Sequence, residues 1–293
     1  MNRSFAVPMR DRTSFRIGGP ADLLAFPRTI EESRELVALA ARESFPCFLL
    51  GGGTNILVSD RGIRGLVIDL GGLRGIESSS TLITALCGTP ISDVSEFAIQ
   101  RGLSGLQFAY SLPGSVGGAV WMNARCYERQ VSDALALVES MTPNGETRRR
   151  IADPREWGYK TSPFQGNGEV ILRAGFALGK GDPARIREEM EDHKKDREKK
   201  GHFLFPCAGS IFKNNRDFGM PTGRIVDSLG LKGLRIGGAQ IAPFHGNIII
   251  NTGEAKAAEV LALMERVEGE VRMRLGFQLE REVILVGDWG KSP

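Results

Sequence analysis

The chain has 293 residues, a length that predicts about two domains at roughly 150 residues each. Apolar residues make up 41% and charged residues 25%, which is ordinary for a folded protein and excludes the disordered, coiled-coil and disulfide-scaffold classes. The 38 Lys and Arg residues against 35 Asp and Glu give a formal charge of +3, so charge does not suggest a nucleic-acid partner.

The first residues and the cysteines indicate the compartment. Residues 1–5 lead into polar sequence, and no apolar run reaches the ~18 residues of a membrane span, so we expect a cytoplasmic protein without a signal peptide or a membrane partner. The four cysteines, Cys47, Cys87, Cys126 and Cys207, form no C-x-x-C pair, and three histidines offer no metal-binding spacing. We therefore expect reduced thiols and no bound metal.

Periodicity and turn residues predict the elements in chain order. Thr29 followed by Glu32 is a capping-box pattern and predicts a helix over 30–44. The next predicted elements are strands at 47–50, 56–58, 65–70 and 82–86, a helix over 91–100 ending near Gly102, a hairpin turn at Asn144-Gly145, a charged surface helix or linker over 182–200, a helix over 254–275 closed by Gly276, and a strand at 283–286.

Two glycine-rich loops carry the first chemical signal. Gly51-Gly52-Gly53-Thr54-Asn55 joins two strands, and its backbone N–H groups can approach a diphosphate closely, although a plain tight turn explains it equally well. It is not G-x-G-x-x-G and leads into a strand, so it does not indicate the Rossmann mechanism. The segment 111–119 repeats the pattern with Pro113, and alone it reads as a buried connection. Together the two loops favour one extended ligand.

Five motifs follow one another along the chain, and several motifs in one order are far more specific than one glycine loop. They are Thr13–Gly19, Gly51–Leu57, Gly105–Val120, Cys207–Asn214 and Leu279–Val283. With these motifs the sequence resembles a known family, the UDP-N-acetylenolpyruvoylglucosamine reductases, which are the MurB flavoenzymes of peptidoglycan synthesis.

The resemblance implies an α+β fold with a two-part FAD-binding domain of the vanillyl-alcohol-oxidase (PCMH) type and a C-terminal α+β substrate-binding domain. We place the first FAD-binding part at 1–72, with the terminal strand 283–293 returning to it, the second at 73–194, and the substrate-binding domain at 195–282. The stretch between Tyr159 and Cys207 holds only a strand and the charged helix, as in the shorter class of the family, which lacks an inserted tyrosine loop.

The implied reaction reduces the enolpyruvyl ether of UDP-N-acetylglucosamine enolpyruvate. NADPH gives a hydride to FAD, N5 of the reduced FAD passes it to one vinyl carbon, and the neighbouring carbon then receives a proton. The negative charge that develops on the substrate carboxylate requires fixed positive or donor groups. We expect a monomer that takes FAD as cofactor and NADPH as cosubstrate.

The resemblance also assigns roles to single residues. Ser210 matches the family's proton donor, although the residue alone is also consistent with a serine in a turn. Glu282 matches the family's late catalytic glutamate, although a glutamate at a strand edge is usually a solvated charge, as Glu280 is expected to be. Lys160 stands where the family has an arginine that stabilises the enolate and carboxylate. The expected FAD-binding residues are Gly51, Gly52, Gly53, Thr54, Asn55, Pro113, Gly114, Ser115, Gly117, Gly118 and Ala119, and the expected substrate-binding residues are Lys213, Asn214 and Gln240.

The sequence departs from the family pattern at three places. Lys160 keeps the charge of the arginine but loses its planar two-donor fork. Arg125-Cys126 replaces the usual glycine-alanine, and Asn215 replaces a proline. His245 reads as a structural hydrogen-bonding group. Two rival interpretations are another flavin oxidoreductase of the same fold and a flavin- or nucleotide-binding protein that has lost catalysis.

Overall fold

The computed structural model describes residues 2–290. Its six α-helices are α1 (Ile30–Arg42), α2 (Ile91–Ile99), α3 (Val116–Trp121), α4 (Pro183–Lys199), α5 (Thr222–Ser228) and α6 (Ala257–Leu275). Its strands are β1 (Asn2–Pro8), β2 (Pro20–Phe26), β3 (Cys47–Leu50), β4 (Ile56–Val58), β5 (Ile63–Asp69), β6 (Ile76–Ser79), β7 (Leu82–Leu86), β8 (Leu103–Ser104), β9 (Arg125–Cys126), β10 (Arg129–Gln130), β11 (Leu135–Met141), β12 (Thr147–Ile151), β13 (Val170–Ala177), β14 (Gly179–Lys180), β15 (Cys207–Ser210), β16 (Arg235–Ile236), β17 (Ala239–Ile241), β18 (Ile248–Asn251) and β19 (Ile284–Val286).

The described residues form two compact units. Unit 1 contains residues 2–5, 23–52 and 65–196, and unit 2 contains residues 6–22, 53–64 and 197–290. The three-part division expected from the sequence stays a prediction. Met1 and residues 291–293, which belong to its first part and its terminal strand, lie outside the described range.

Unit 1 is built on a five-stranded antiparallel sheet in the order β12-β11-β13-β7-β6. Helices α2 and α3 pack on this sheet, and α3 contacts its central strand β13. The predicted hairpin turn is confirmed, because Met141 pairs with Thr147 and Gly145 between them has a φ of +85°. β3 lies parallel to β5 and leads into the first glycine loop.

Unit 2 contains a four-stranded antiparallel sheet in the order β15-β18-β17-β16. Helix α6 packs on β16 and β17. The buried side chains of α6 recur every three or four residues and are Ala257, Val260, Leu263, Met264, Val267 and Val271. β19 pairs in parallel with β4.

Local signals correctly predicted three of the six helices among the described residues. Thr29 Oγ1 accepts the Glu32 N–H at 3.1 Å, as the capping pattern predicts, although the Glu32 carboxylate accepts from Arg28 and not from Thr29. Gly102 and Gly276 have φ values of +62° and +73° at the ends predicted for them. The predicted helices over 30–44, 91–100 and 254–275 are confirmed within three residues.

Two helix features differ from the sequence prediction. The charged segment 182–200 is helix α4, and it has an apolar side on which Ile186 and Met190 are buried against Ile99. Helix α6 begins at Ala257, later than predicted, because the Asp60 carboxylate accepts its first N–H groups from Ala257 at 2.8 Å and Ala258 at 3.0 Å.

No helix within residues 2–290 combines the length and apolarity that a membrane crossing requires. The same residues contain no group of three or more His, Cys, Asp or Glu side chains that could hold a metal ion. All four cysteines are free thiols.

The buried face of α6 provides a test of the unit 2 core. Met264 is fully buried and Met273 on the same helix is 74% exposed. We expect Met264→Ala to lower the free energy of unfolding of unit 2 by about 2 to 5 kcal/mol, because it leaves a cavity. Urea denaturation followed by circular dichroism measures the change. Met273→Ala is the matched control, and an equal loss in both variants would contradict the packing described.

Candidate active site

The two glycine loops lie against each other in unit 1. A Cβ placed on Gly52 would be 2.7 Å from the Gly114 Cα, and one placed on Gly51 would be 2.7 Å from the Ser115 Oγ. At Gly52 the atom met is backbone, so glycine is required there for the two loops to approach, whereas at Gly51 an added Cβ would displace only the Ser115 hydroxyl. The loops that the sequence proposed as one ligand site are therefore neighbours.

This contact leaves backbone donors available. The N–H groups of Gly51, Gly52, Gly114 and Ser115 have no hydrogen-bond acceptor among residues 2–290. We call these four residues the glycine cradle. Successive unpaired N–H groups form a concave site for an anion, and a diphosphate matches it in charge and in its number of acceptors. The buried Ser111 Oγ in the same loop also has no partner in the described chain.

The rest of the second loop is used differently. The N–H groups of Val116 and Gly117 donate to the carbonyls of Thr89 and Cys87, each at 2.8 Å, and Ala119 donates to Ser115. These N–H groups are therefore committed within the protein, and the residues after Ser115 form helix α3. Sequence reasoning did not predict this helix.

The second half of the first loop belongs to unit 2. Gly53 has a φ of +63°, and its carbonyl accepts the Ser14 N–H at 3.0 Å. The N–H groups of Gly53, Thr54 and Asn55 find no acceptor in the described part of the chain. The Asn55 side chain donates to the Glu282 carbonyl at 3.0 Å, so this predicted cofactor residue also fixes the backbone of a predicted catalytic one.

Ser210 lies at a β-bulge. Cys207 pairs with Ile250 and Ser210 pairs with Ile248. Between these two pairs β15 advances by three residues and β18 by two, so β15 contains one extra residue. Gly209 supplies the left-handed conformation of the bulge, with a φ of +72°. A bulge changes the direction in which the following side chain points, and bulges recur beside active sites. The half-buried Ser210 is therefore held by a specific irregularity of the strand.

The Glu282 backbone lies beside the residue that follows Ser210. The Glu282 N–H donates to the Ile211 carbonyl at 2.7 Å, and Phe212 forms a bridge with Arg281. Unit 2 thus brings the Ser210 and Glu282 segments together. Glu282 precedes strand β19, as expected.

The expected substrate-binding residues occupy the same sheet and its neighbouring loops. Lys213 Nζ lies 2.5 Å from Glu280 Oε1, so the exposed Glu280 is ion-paired as well as solvated. The Asn214 side chain accepts the Thr222 N–H at 2.9 Å. Gln240 pairs with Ile250 on the side of β18 opposite to β15, and its side chain donates to the Gly233 carbonyl at 3.0 Å.

Asn247 is a positioning residue that the sequence reading missed. Its buried side chain accepts the Phe212 N–H at 3.0 Å and donates to the Phe212 carbonyl at 2.8 Å, while its carbonyl accepts from Ile211. The Asn247 N–H donates to His245 Nδ1 at 3.2 Å. Burial, together with Lys200 and Lys232, lowers the pKa of His245, which favours the neutral imidazole that can accept this hydrogen bond. A lone asparagine before the apolar run 248–250 was the available signal.

The sulfur nearest to Ser210 in the chain is not activated. Burial raises the pKa of the Cys207 thiol. This shift disfavours the thiolate, which is the nucleophilic form of cysteine.

Lys160 lies in a tight turn of unit 1, residues 158–161, which we call the Lys160 turn. Gly158 and Thr161 exchange backbone hydrogen bonds of 3.3 and 3.2 Å across it, and Lys160 has a φ of +59°. A non-glycine residue in this conformation is strained and persists only when its surroundings hold it.

The surroundings that hold this turn come from the end of helix α3. Ser162 Oγ donates to the Trp121 carbonyl at 2.7 Å. Gln165 Nε2 donates to Trp121 at 2.9 Å and to the Lys160 carbonyl at 3.1 Å. Helix α3 begins at the glycine cradle and is roughly 9 Å long at about 1.5 Å per residue, so it links the cradle to the Lys160 turn.

Comparison with known proteins supplies an independent view. Residues 21–150 match the profile of an FAD binding domain, and residues 200–286 match that of the UDP-N-acetylenolpyruvoylglucosamine reductase C-terminal domain. The chain is 42% identical over 304 residues to a protein of that name from Treponema denticola, covering 98% of this chain and 94% of the relative. It is 40% identical over 276 residues to the protein of that name from Borreliella burgdorferi, covering 94% and 91%.

A solved structure matches over the same length. The crystal structure of UDP-N-acetylenolpyruvylglucosamine reductase (MurB) from Thermus caldophilus superposes with a TM-score of 0.79 at 32% identity, covering 97% of this chain and 98% of the other. The resemblance stated from the motifs is confirmed, and so is the expected fold class. The roles of individual site residues stay predictions.

The glycine cradle generates a direct test. In Gly52→Ala the added Cβ would meet the Gly114 backbone at 2.7 Å and force the loops apart. We expect the affinity for FAD to fall by roughly tenfold or more, since four donors lose their arrangement. Flavin absorbance per chain and titration of FAD into the apoprotein measure this. Gly179→Ala is the control, because no atom lies within 4 Å of its added Cβ. A Gly52→Ala protein with normal FAD affinity would contradict the cradle.

Proposed function

The chain belongs to the UDP-N-acetylenolpyruvoylglucosamine reductase (MurB) family of oxidoreductases, and we propose that it reduces UDP-N-acetylglucosamine enolpyruvate to UDP-N-acetylmuramate with NADPH as the reductant. The family acts in peptidoglycan synthesis, and this chain carries both its FAD-binding and its C-terminal regions. The observation that carries the proposal is the match to named relatives along nearly the whole chain. We further propose a monomer that works in the cytoplasm.

FAD fits the residues present. The glycine cradle offers unpaired N–H groups to its diphosphate, and Ser111 Oγ is a further buried group without a partner in the described chain. When bound, FAD supplies the reducing chemistry by taking a hydride from NADPH and giving it to a vinyl carbon of the substrate. The cradle residues hold the cofactor and take no part in proton transfer.

Ser210 is the proposed proton donor to the carbon that carries the substrate carboxylate. The bulge at Gly209 and the hydrogen bonds of Asn247 hold the Ser210 segment, which favours a precise position. A serine hydroxyl is a weak acid, so it must regain a proton promptly after it has donated one. Lys213 or a water molecule would supply that proton.

Glu282 is the proposed partner in the same step. Its backbone is fixed from two sides, by Asn55 and by Ile211, so its carboxylate is carried on a rigid segment. We assign it to orienting the substrate intermediate or assisting the protonation.

The anionic parts of the substrate require donors. Lys160 would stabilise the charge that develops on the carboxylate, and the Lys160 turn keeps this cation on a fixed backbone. Lys213, Asn214 and Gln240 would bind the uridine diphosphate part.

The experiment that tests the function is an anaerobic mixture of the purified protein with NADPH and then with UDP-N-acetylglucosamine enolpyruvate. Flavin absorbance should bleach with NADPH and return only with that substrate. Bleaching without return would favour another flavin oxidoreductase of this fold, and a protein that binds no flavin would contradict both assignments.

Ser210→Ala tests the proton donor. We expect FAD to bind and to be reduced by NADPH at the normal rate, while turnover falls by about 100- to 10,000-fold because the protonation step is lost. Stopped-flow absorbance separates the two half-reactions. Normal turnover of this variant would refute the role of Ser210.

Two glutamates two residues apart offer a matched comparison. We expect Glu282→Gln to lower kcat by about 100-fold or more, as the loss of an acid–base group does. Glu280→Gln should leave kcat within about twofold, since an exposed ion pair contributes little. Steady-state kinetics on both variants measures the difference, and equal losses would show that Glu282 has no special role.

A further inference from the structure

Arg125 lies next to the aromatic ring of Tyr159, the residue that precedes Lys160. The Arg125 guanidinium carbon is 5.6 Å from the centre of this ring. The side chain of Arg125 is 25% exposed. We propose that Arg125 is a second substrate-binding residue for the enolpyruvyl carboxylate, supplying the planar two-donor fork that Lys160 lacks. This inference rests on the proposed function.

A buried amide joins the segments that carry the two cations. Asn123 Nδ2 donates to the Gly158 carbonyl at 2.8 Å, and Asn123 Oδ1 accepts the Ser132 N–H at 3.0 Å. Asn123 itself is fully buried. Strand β9 begins two residues later, with Arg125, so the Lys160 turn and the Arg125 segment share one anchor. Their relative position is therefore built into the fold of unit 1.

Arg125 is carried on a strained hairpin, residues 125–130, which we call the Arg125 hairpin. Cys126 pairs with Arg129, which leaves Tyr127 and Glu128 as a two-residue loop with φ values of +52° and +59°. Such a turn favours asparagine and glycine. Here neither residue is of that kind, so the conformation must be held by other contacts.

Helix α4 provides those contacts. The Tyr127 ring stacks on the His193 ring with centres 3.8 Å apart and planes at 5°. The Tyr127 hydroxyl lies 2.8 Å from the His193 carbonyl and 3.0 Å from Asp196 Oδ2. The Arg125 hairpin is thus fixed to a long helix, and Arg125 is held on a positioned element instead of a free loop.

Arg125 is paired in this structure with the carboxylate of Glu128, and a substrate carboxylate could take its place. Arg125 Nη2 lies 2.5 Å from Glu128 Oε2, and the Glu128 side chain is 83% exposed. A substrate carboxylate offers the same chemical group, and an exposed ion pair is weak enough to be exchanged. Glu128 should therefore compete with the substrate for Arg125.

Lys160 and Arg125 carry cations of different geometry, so they would bind the substrate carboxylate in different ways. An ammonium is a compact point charge, whereas a guanidinium matches both oxygens of a carboxylate in one plane. Lys160 would neutralise the charge that develops on the substrate, and Arg125 would fix the plane of the carboxylate. Arginine introduced at position 160 should then make Arg125 dispensable.

The experiment measures KM and kcat for UDP-N-acetylglucosamine enolpyruvate, with the rate of flavin reduction by NADPH as a separate readout. We expect Arg125→Ala to raise KM by about tenfold or more, as the loss of a charged hydrogen-bond pair does, with flavin reduction unchanged. Adding Lys160→Arg to Arg125→Ala should restore KM to near the wild-type value. A purely structural role would not be rescued in this way.

Glu128→Gln should change KM in the opposite direction from Arg125→Ala. It should lower KM in the wild-type background and leave KM unchanged in the Arg125→Ala background. Arg129→Ala, on the same hairpin and paired with Asp133, is the control and should change neither readout. Arg125→Gln serves as a second variant if Arg125→Ala loses its flavin.

Three results would overturn the assignment of Arg125. The first is a KM within about twofold of wild type in the Arg125 variants, because that factor is too small for a lost charged hydrogen bond. The second is the absence of rescue by Lys160→Arg. The third is an equal effect of Glu128→Gln on KM in both backgrounds. Wild-type protein that does not turn over this substrate would overturn the proposed function and the inference with it.

Discussion

The close approach of two backbone segments in unit 1 is the constraint on which the proposed cofactor site depends. Gly52 lies so near the backbone of Gly114 that a single Cβ would separate the two loops. Only this proximity places unpaired N–H groups from distant parts of the chain in one cradle. Backbone donors carry no side-chain entropy, so they hold an anion without first having to be ordered. A lysine at the same place would need several rotamers to be fixed.

In unit 2 the position of Ser210 is set by an irregularity in a strand. In a regular strand, successive side chains point to alternate faces of the sheet. The bulge at Gly209 breaks this alternation immediately before Ser210. The irregularity is stabilised because the buried Asn247 satisfies both backbone groups of Phe212. The unit therefore uses a polar side chain inside an apolar sheet to hold the segment of the proposed proton donor.

Signals within a few residues predicted much of this fold. The Thr29 cap, the Asn144-Gly145 turn and the Gly276 terminator depend on local geometry, and the sequence displays them. The start of helix α6 depends on Asp60, about two hundred residues away, and no local pattern reveals it. Motif spacing identified the candidate residues but not the side chains that hold them, because Asn247 and Gln165 act through long-range hydrogen bonds to backbone carbonyls.

Two of the three cations proposed to meet the substrate, Lys213 and Arg125, share one arrangement. Lys213 is 17% exposed and its partner Glu280 is 71% exposed, and Arg125 at 25% faces Glu128 at 83%. In both pairs the base is held by the protein and the acid extends into water, so the acid can leave while the cation stays. Binding an anionic substrate then replaces a glutamate carboxylate by a substrate carboxylate or phosphate. The cation is paired before and after this exchange. The net electrostatic gain is then the difference between two similar pairs. In the proposed site, substrate and product would exchange at these pairs while the glycine cradle would hold the cofactor.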